Sequence, residues 1–202
     1  MTRGHAATPD NAEFAALLDA ARAGSGSALR RLWEWLNPPV AGYLRSQGVL
    51  DSEAATNEVF FRCFDRLDRF AGTGTGFRSW VFTIAHNLVI DERRRAARRP
   101  QSRPTADVRK LERRGGDTEA EALARLDLAN TGELLGLLTE PQRDVVFLRV
   151  IAGLDVAETA SVLGRAPGAI KALQHRGLSA LRAILAERGV TKPADSTFPT
   201  MT

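Results

Sequence analysis

Apolar residues recur at spacings of three and four through most of the chain. That period marks one face of an α-helix rather than the alternation of a half-buried strand. Phe14, Leu17, Leu18 and Ala21 form the first stripe, behind a candidate cap at Asp10 or Asn11. A second helix is predicted after Ser27, with Leu29, Leu32, Trp33 and Leu36 inward. Pro38-Pro39 should break or kink it before Val40-Ala41-Gly42-Tyr43-Leu44 continues, because proline lacks a donor and crowds the preceding turn. A third helix is predicted from about Ser52 to Leu67, with Val59, Phe60, Cys63, Phe64 and Leu67 as its apolar positions. Gly72-Thr73-Gly74-Thr75-Gly76 reads as a loop. A fourth helix opens near Phe77 and carries Phe77, Trp80, Val81, Ile84 and Leu88.

The pattern stops after Asp91. Glu92 to Gly116 is rich in arginine and contains Pro100, Pro104 and Gly115-Gly116, which reads as a helix end running into a solvated linker. Order returns near Glu119. Thr139-Glu140-Pro141-Gln142 has the form of a capping box with proline in the first turn. The helix behind it carries Val145, Val146, Leu148 and Val150 and should end at Gly153. Asp155-Val156-Ala157-Glu158 opens another helix to Leu163, Gly164 makes a turn, and a last helix runs from Ala166-Pro167 through Leu185. The tail from Lys192 to Thr202 has no period. The expected fold is all-α, with an N-terminal helical bundle over 1–99, a flexible basic linker over 100–118, a helix-turn-helix domain over 119–188 and a disordered tail over 189–202.

Composition agrees with that division. The chain has 202 residues, of which 44% are hydrophobic, enough for true cores. The net charge is +4, which suits nucleic acid, an acidic partner or an anionic membrane surface. A single cysteine, Cys63, excludes a disulfide framework and a multi-cysteine zinc site; in its apolar run it reads as a packing residue. No apolar run approaches the roughly 20 residues that span a bilayer, and no hydrophobic signal core follows the first residues, so a cytoplasmic protein without membrane insertion is expected. His5, His86 and His175 stand apart from any metal-ligand spacing, and the glycine loop lacks the lysine of a phosphate loop. No catalytic residue, metal, cofactor or small-molecule substrate is therefore expected.

The most specific local pattern is a short capped helix, a glycine turn and a longer basic helix. In a helix-turn-helix the second helix enters the major groove. Lys171, Gln174, His175 and Arg176 fall on or near the groove side, where Lys and Arg can bond guanine or phosphate and Gln can bond adenine. Ile170, Leu181 and Leu185 face the core. An ordinary helical hairpin with a solvated basic face would share this spacing.

The run Leu138-Thr139-Glu140-Pro141-Gln142-Arg143-Asp144-Val145, then Leu148-Arg149, Gly153-Leu154, Glu158-Thr159-Ala160, Leu163-Gly164, Gly168 and Ile170-Lys171, resembles the C-terminal promoter-binding domain of bacterial sigma factors. That resemblance implies reading of the upstream promoter element. Ala166 stands where the family usually has a Ser or Thr cap, a loss of roughly 1 kcal/mol. Leu173 stands where a basic residue is common and Gln174 where an apolar one is common, so which of the two faces DNA stays open.

The run Leu67-Asp68-Arg69-Phe70, the glycine loop, and Phe77 through Arg95 resembles the downstream-element domain of the extracytoplasmic-function sigma factors of the sigma-70 family. Promoter opening requires single-stranded bases to be held by stacking and edge bonds. The resemblance implies that Phe70 and Asn87 help form such a pocket, that the glycine loop closes over it, and that Arg78, Arg93, Arg94 and Arg95 neutralise phosphates. From spacing alone, Phe70 could equally pack, Trp80 belongs to the core stripe, and Asn87 reads as a solvated helix residue. Glu53, Asn57 and Glu58 match family positions that dock on the coiled coil of the polymerase large subunit, although Ala54, Ala55, Thr56 and Asn57 depart from the common Asp, Leu, Val and Gln. The partners implied are core RNA polymerase, promoter DNA and an anti-sigma factor.

Two other readings compete. A regulator that binds DNA without polymerase would share the second module, but the first shows no parallel-sheet receiver pattern. A nucleic-acid enzyme would need a metal or phosphate motif that the sequence lacks.

Overall fold

The computed structural model describes residues 10–98 and 132–188. The expected linker over 100–118, the start of the second module over 119–131 and the tail over 189–202 lie outside the described residues. Among the described residues there is no strand. Four helices form the first module: α1 Asn11–Arg22, α2 Gly26–Ser46, α3 Ser52–Asp65 and α4 Gly74–Arg98, with a 3-10 turn Leu67–Arg69 after α3. In the second module residues 132–136 are helical. They precede α5 Glu140–Val146, α6 Val156–Leu163 and α7 Pro167–Glu187.

Caps set most boundaries. Asp10 accepts from the Glu13 amide at 2.8 Å, Ser25 from Ala28 at 3.4 Å and Asp51 from Ala54 at 2.9 Å, each satisfying an orphan N–H of a first turn. α1 buries Phe14, Leu17, Leu18 and Ala21, the expected stripe. In α2 the inward residues are Leu32, Trp35, Leu36, Val40, Tyr43 and Leu44, whereas Trp33 is 37% exposed. The expectation that Trp33 packs is corrected to Trp35, which lies three residues beyond Leu32 and so continues its face.

Two more expectations change. α2 runs unbroken through Pro38 and Pro39. Each proline removes one helical donor, a cost of ~3 kcal/mol in an isolated helix, but Leu36, Val40, Tyr43 and Leu44 are all essentially buried around them. The glycine segment is not all loop either: α4 begins at Gly74. Gly74 lies against the Phe14 ring of α1, where a Cβ would sit at 3.4 Å.

The two modules share one apolar core. Leu138, Val146, Phe147, Leu148 and Leu154 join the cluster that contains Leu32, Tyr43 and Phe82. α6 packs along α4, and α5 packs on α7. After α5 the chain makes a π turn over Phe147–Ile151, and Gly153 at φ +69° ends it. Among the described residues no helix is long and apolar enough to cross a membrane.

Candidate nucleic-acid interface

The second module is built as its sequence suggests. Gln142 accepts from the Thr139 amide at 3.2 Å, and Pro141 lies in the first turn of α5. At α6 the capping box is complete: the Glu158 amide donates to Asp155 at 2.8 Å and the Asp155 amide to Glu158 at 2.7 Å. Gly164 at φ +60° closes α6, the left-handed turn a glycine permits. Ala166 makes no side-chain cap for α7.

A small cluster of Val145, Ala160 and Ile170 fixes the roll of α7, with Leu173 packed against it. The Gln174 Oε1 accepts from Arg149 Nε at 3.1 Å. Leu173 is thus directed inward, and Gln174 is half-buried with its carbonyl engaged. Lys171, His175 and Arg176 are exposed on the outer face. Lys171 and His175 stand one turn apart, and Arg176 is steadied by the Ala172 carbonyl at 3.3 Å.

In the first module α4 buries Phe77, Val81, Ile84 and Leu88 and exposes Asn87, Arg94 and Arg95. Phe70 is only 8% exposed. Its ring stacks on Trp80 at 5.3 Å and meets Phe77 edge-on at 5.2 Å. A Cβ at Gly72 would come within 3.1 Å of that ring. The aromatic faces here are spent on one another, so Phe70 is a wall of the cluster in this arrangement. The Phe70 carbonyl accepts from Arg22, which ties α1 to the loop.

The remaining two arginines of the expected site face the second module. Arg78 lies 5.3 Å above the Trp35 ring and donates to the Ala152 carbonyl at 3.1 Å. Arg93 donates to Gln47 Oε1 at 2.8 Å and pairs with Glu140. Between them lies a buried polar group that sequence reasoning missed. The Tyr43 hydroxyl is 2.8 Å from His86 Nδ1 and 3.1 Å from Asp144 Oδ1. A phenol has one hydrogen to give. Donated to Asp144, it requires His86 Nδ1 to carry a proton and donate to the phenol oxygen.

Burial pushes the Asp144 carboxyl up to about 6, although the Tyr43 hydrogen bond and Arg93 act the other way. Burial also raises Tyr43 well above the usual phenol range and lowers His86. Phe147 closes the seam beside this group, 5.4 Å from the Tyr43 ring. A Cβ on Gly42 would stand 3.4 Å from the Phe147 ring, at the edge of ordinary contact. Arg143, also unmarked in the sequence, donates to the Ser46 carbonyl at 3.1 Å and the Leu138 carbonyl at 3.1 Å, bracing the seam from both sides. The only sequence hint was an aspartate set directly before the apolar pair Val145-Val146.

On α3, Glu53, Asn57 and Glu58 are exposed along one side. Glu58 pairs with Arg62 at 2.6 Å. An open groove of about 850 Å³ lies between α3 and the end of α4, lined by Leu50, Ala54, Glu58, Leu88, Glu92 and Arg95 among others. Among the described residues no group of three His, Cys, Asp or Glu side chains is placed to hold a metal.

Comparison with known proteins matches this chain to a family. The model for sigma-70 region 2 matches residues 38–99, and that for sigma-70 region 4 matches residues 129–181. The chain is 34% identical over 187 residues to the ECF RNA polymerase sigma factor BldN of Streptomyces coelicolor, covering 91% of this chain and 70% of that relative. It is 35% identical over 178 residues to the ECF RNA polymerase sigma factor ShbA of Streptomyces griseus, covering 84% and 93%. Among solved structures, CnrH in complex with the cytosolic domain of CnrY aligns with a TM-score of 0.61 at 26% identity, covering 86% of this chain and 97% of that one.

Proposed function

The chain belongs to the extracytoplasmic-function sigma factors of the sigma-70 family, and from that premise we propose a division of labour between its two modules at the level of residues. As a sigma factor it binds core RNA polymerase and directs promoter-specific initiation. Lys171, His175 and Arg176 read the upstream promoter element from the exposed face of α7. Gln174 joins them through its amide N–H groups and the second lone pair of its carbonyl, while that carbonyl keeps the bond from Arg149. Asn87 captures a base of the melted downstream element, while Arg78, Arg93, Arg94 and Arg95 neutralise the strand. Phe70 supports that site as an aromatic wall and stacks on a base only if the cluster around Trp80 and Phe77 rearranges. Glu53, Asn57 and Glu58 dock on the large-subunit coiled coil of the polymerase.

The single observation that carries the reading is α7 itself. Ile170 and Leu173 lock its roll against Val145 and Ala160, which leaves a basic stripe facing solvent within the segment matched to region 4. The protein works in the cytoplasm and is not an enzyme; the chemistry of initiation belongs to the polymerase. An anti-sigma factor holds it in reserve, in line with the relative CnrH, whose structure contains the cytosolic domain of CnrY. Footprinting of the polymerase holoenzyme on duplex promoter DNA tests the assignment. Lys171→Ala with Arg176→Ala should erase the upstream footprint; an unaltered one contradicts the reading.

A further inference from the structure

Arg149 lies in the π turn Phe147–Ile151, and its guanidinium joins three pieces of the second module. It donates to the Leu154 carbonyl, next to the Asp155 cap of α6, and its Nε donates to Gln174 Oε1 on α7 at 3.1 Å. A guanidinium has five N–H donors and no acceptor. The carboxamide atom of Gln174 that faces Arg149 is therefore the oxygen, and the amide nitrogen is turned away. That nitrogen has no partner among the described residues. No buried side-chain nitrogen or oxygen among them lacks a partner, so this one reaches water. Gln174 follows Lys171 by three positions, which places the two side by side on adjoining turns of α7.

We infer that Arg149 is a positioning residue for promoter reading: it pins the Gln174 carboxamide oxygen inward, so that Gln174 turns its N–H groups to the major groove and selects a base with acceptors there, guanine or thymine, against cytosine. The inference rests on the proposed reading of α7 as the helix that enters the upstream element. Guanine offers O6 and N7 and thymine offers O4, whereas cytosine presents the N4 donor. Paired recognition of adenine by glutamine needs the amide oxygen and nitrogen together along one base edge. With the oxygen drawn to Arg149, only N7 of adenine is met, and adenine is held less well than guanine. An unrestrained glutamine can turn its carboxamide over and meet either kind of edge. The Arg149 bond removes that freedom. Arg149 is itself held by the Leu154 carbonyl, so the orientation is set before DNA arrives and the ordering cost of binding is reduced.

Selection by the polymerase holoenzyme from promoter fragments randomised across the upstream element provides the test. Wild type should prefer guanine or thymine over cytosine by at least about fivefold at one position, and Gln174→Leu should make that position indifferent while the others keep their preferences. Gln174→Glu keeps an oxygen for Arg149 and turns the outward donor into an acceptor, so the preference at that position should move to cytosine. Arg149→Met frees the carboxamide, and adenine should then be accepted there as well as guanine. A purely structural role for Arg149 would weaken binding to every sequence alike and shift no preference. That result, preferences unmoved in both Gln174 variants, or a wild-type preference for adenine that depends on Gln174, overturns the inference. Where Arg149→Met fails to fold, the switch in Gln174→Glu decides by itself. Lys171→Ala with Arg176→Ala separates the two claims. If that pair erases upstream selection while the Gln174 variants change nothing, the inference alone fails. If the pair too has no effect, the reading of α7 fails with it.

Discussion

Tyr43 and Asp144 are 101 positions apart in sequence, and the phenol hydroxyl reaches the carboxylate across 3.1 Å between the two modules. Phe147 packs on the Tyr43 ring beside that bond, and Arg93, Glu140 and Arg143 act on the carboxylate. Removing the hydroxyl leaves a buried carboxylate with its donor gone, a loss of about 1–3 kcal/mol. Tyr43→Phe should therefore lower the melting temperature of the full chain. Asp144→Leu, which removes the charge as well, should cost less than Tyr43→Phe or raise stability. Calorimetry of both variants checks this ordering, and the reverse order speaks against Asp144 as the costly partner.

Asp144 and His86 respond to pH in opposite senses. The Asp144 carboxyl is raised to about 6 in the folded chain from ~3.9 when exposed. Its contribution to stability is complete below the lower value and lost as pH rises through the higher one, up to about 3 kcal/mol. His86 is lowered by burial, so its contribution is present above its ordinary value and lost as pH falls through the depressed one. Asp144→Asn should erase the loss of stability between about pH 4 and 6 and leave a protein that weakens only on acidification. Chemical denaturation across pH 4 to 8 reads the difference. Parallel profiles for the wild type and the variant would remove Asp144 from the account.

Gly177 is where α7 meets α5. A Cβ there would lie 2.7 Å from Val146 Cγ2. Gly→Ala in a helix ordinarily gains up to ~1 kcal/mol, but a stiff, buried valine cannot yield, so Gly177→Ala should destabilise by about 1–3 kcal/mol. Val146→Ala in the same chain should recover part of the loss. Simple additivity of the two changes would show that the contact is not the cause.

Asn87 stands exposed on α4 beside the buried His86. Asn87→Ala should leave stability within about 0.5 kcal/mol and impair promoter opening more than duplex binding. Permanganate reactivity of the melted region measures opening, and unchanged reactivity excludes Asn87 from base capture.

Much of this molecule is legible along the chain, for reasons that are local. Asp155, Glu158 and Gly164 announce α6 because a capping box and a left-handed glycine act within a few residues. Phe14, Leu17, Leu18 and Ala21 announce the buried face of α1 through its period. Trp33 and Trp35 were not separable that way, since both lie close to the stripe and only packing chooses. Pro38-Pro39 misled because local strain was outweighed by burial of Val40 and Tyr43. The seam was illegible for a stronger reason. Periodicity tells which face of a helix turns inward, not which other helix it meets, and Tyr43 finds Asp144 only through tertiary structure. For the candidate site, Lys171, His175 and Arg176 are placed on the outer face by period alone, whereas the inward turn of Leu173 depends on its packing against Val145, Ala160 and Ile170.

The central claim is that the two modules together make a promoter-directing subunit. In vitro transcription with purified core RNA polymerase on a genomic fragment library tests it most directly. The account predicts transcripts with discrete starts that require both this chain and core, and that disappear when Lys171 and Arg176 are both alanine. Binding to core without any discrete start, or starts indifferent to those two residues, would contradict it.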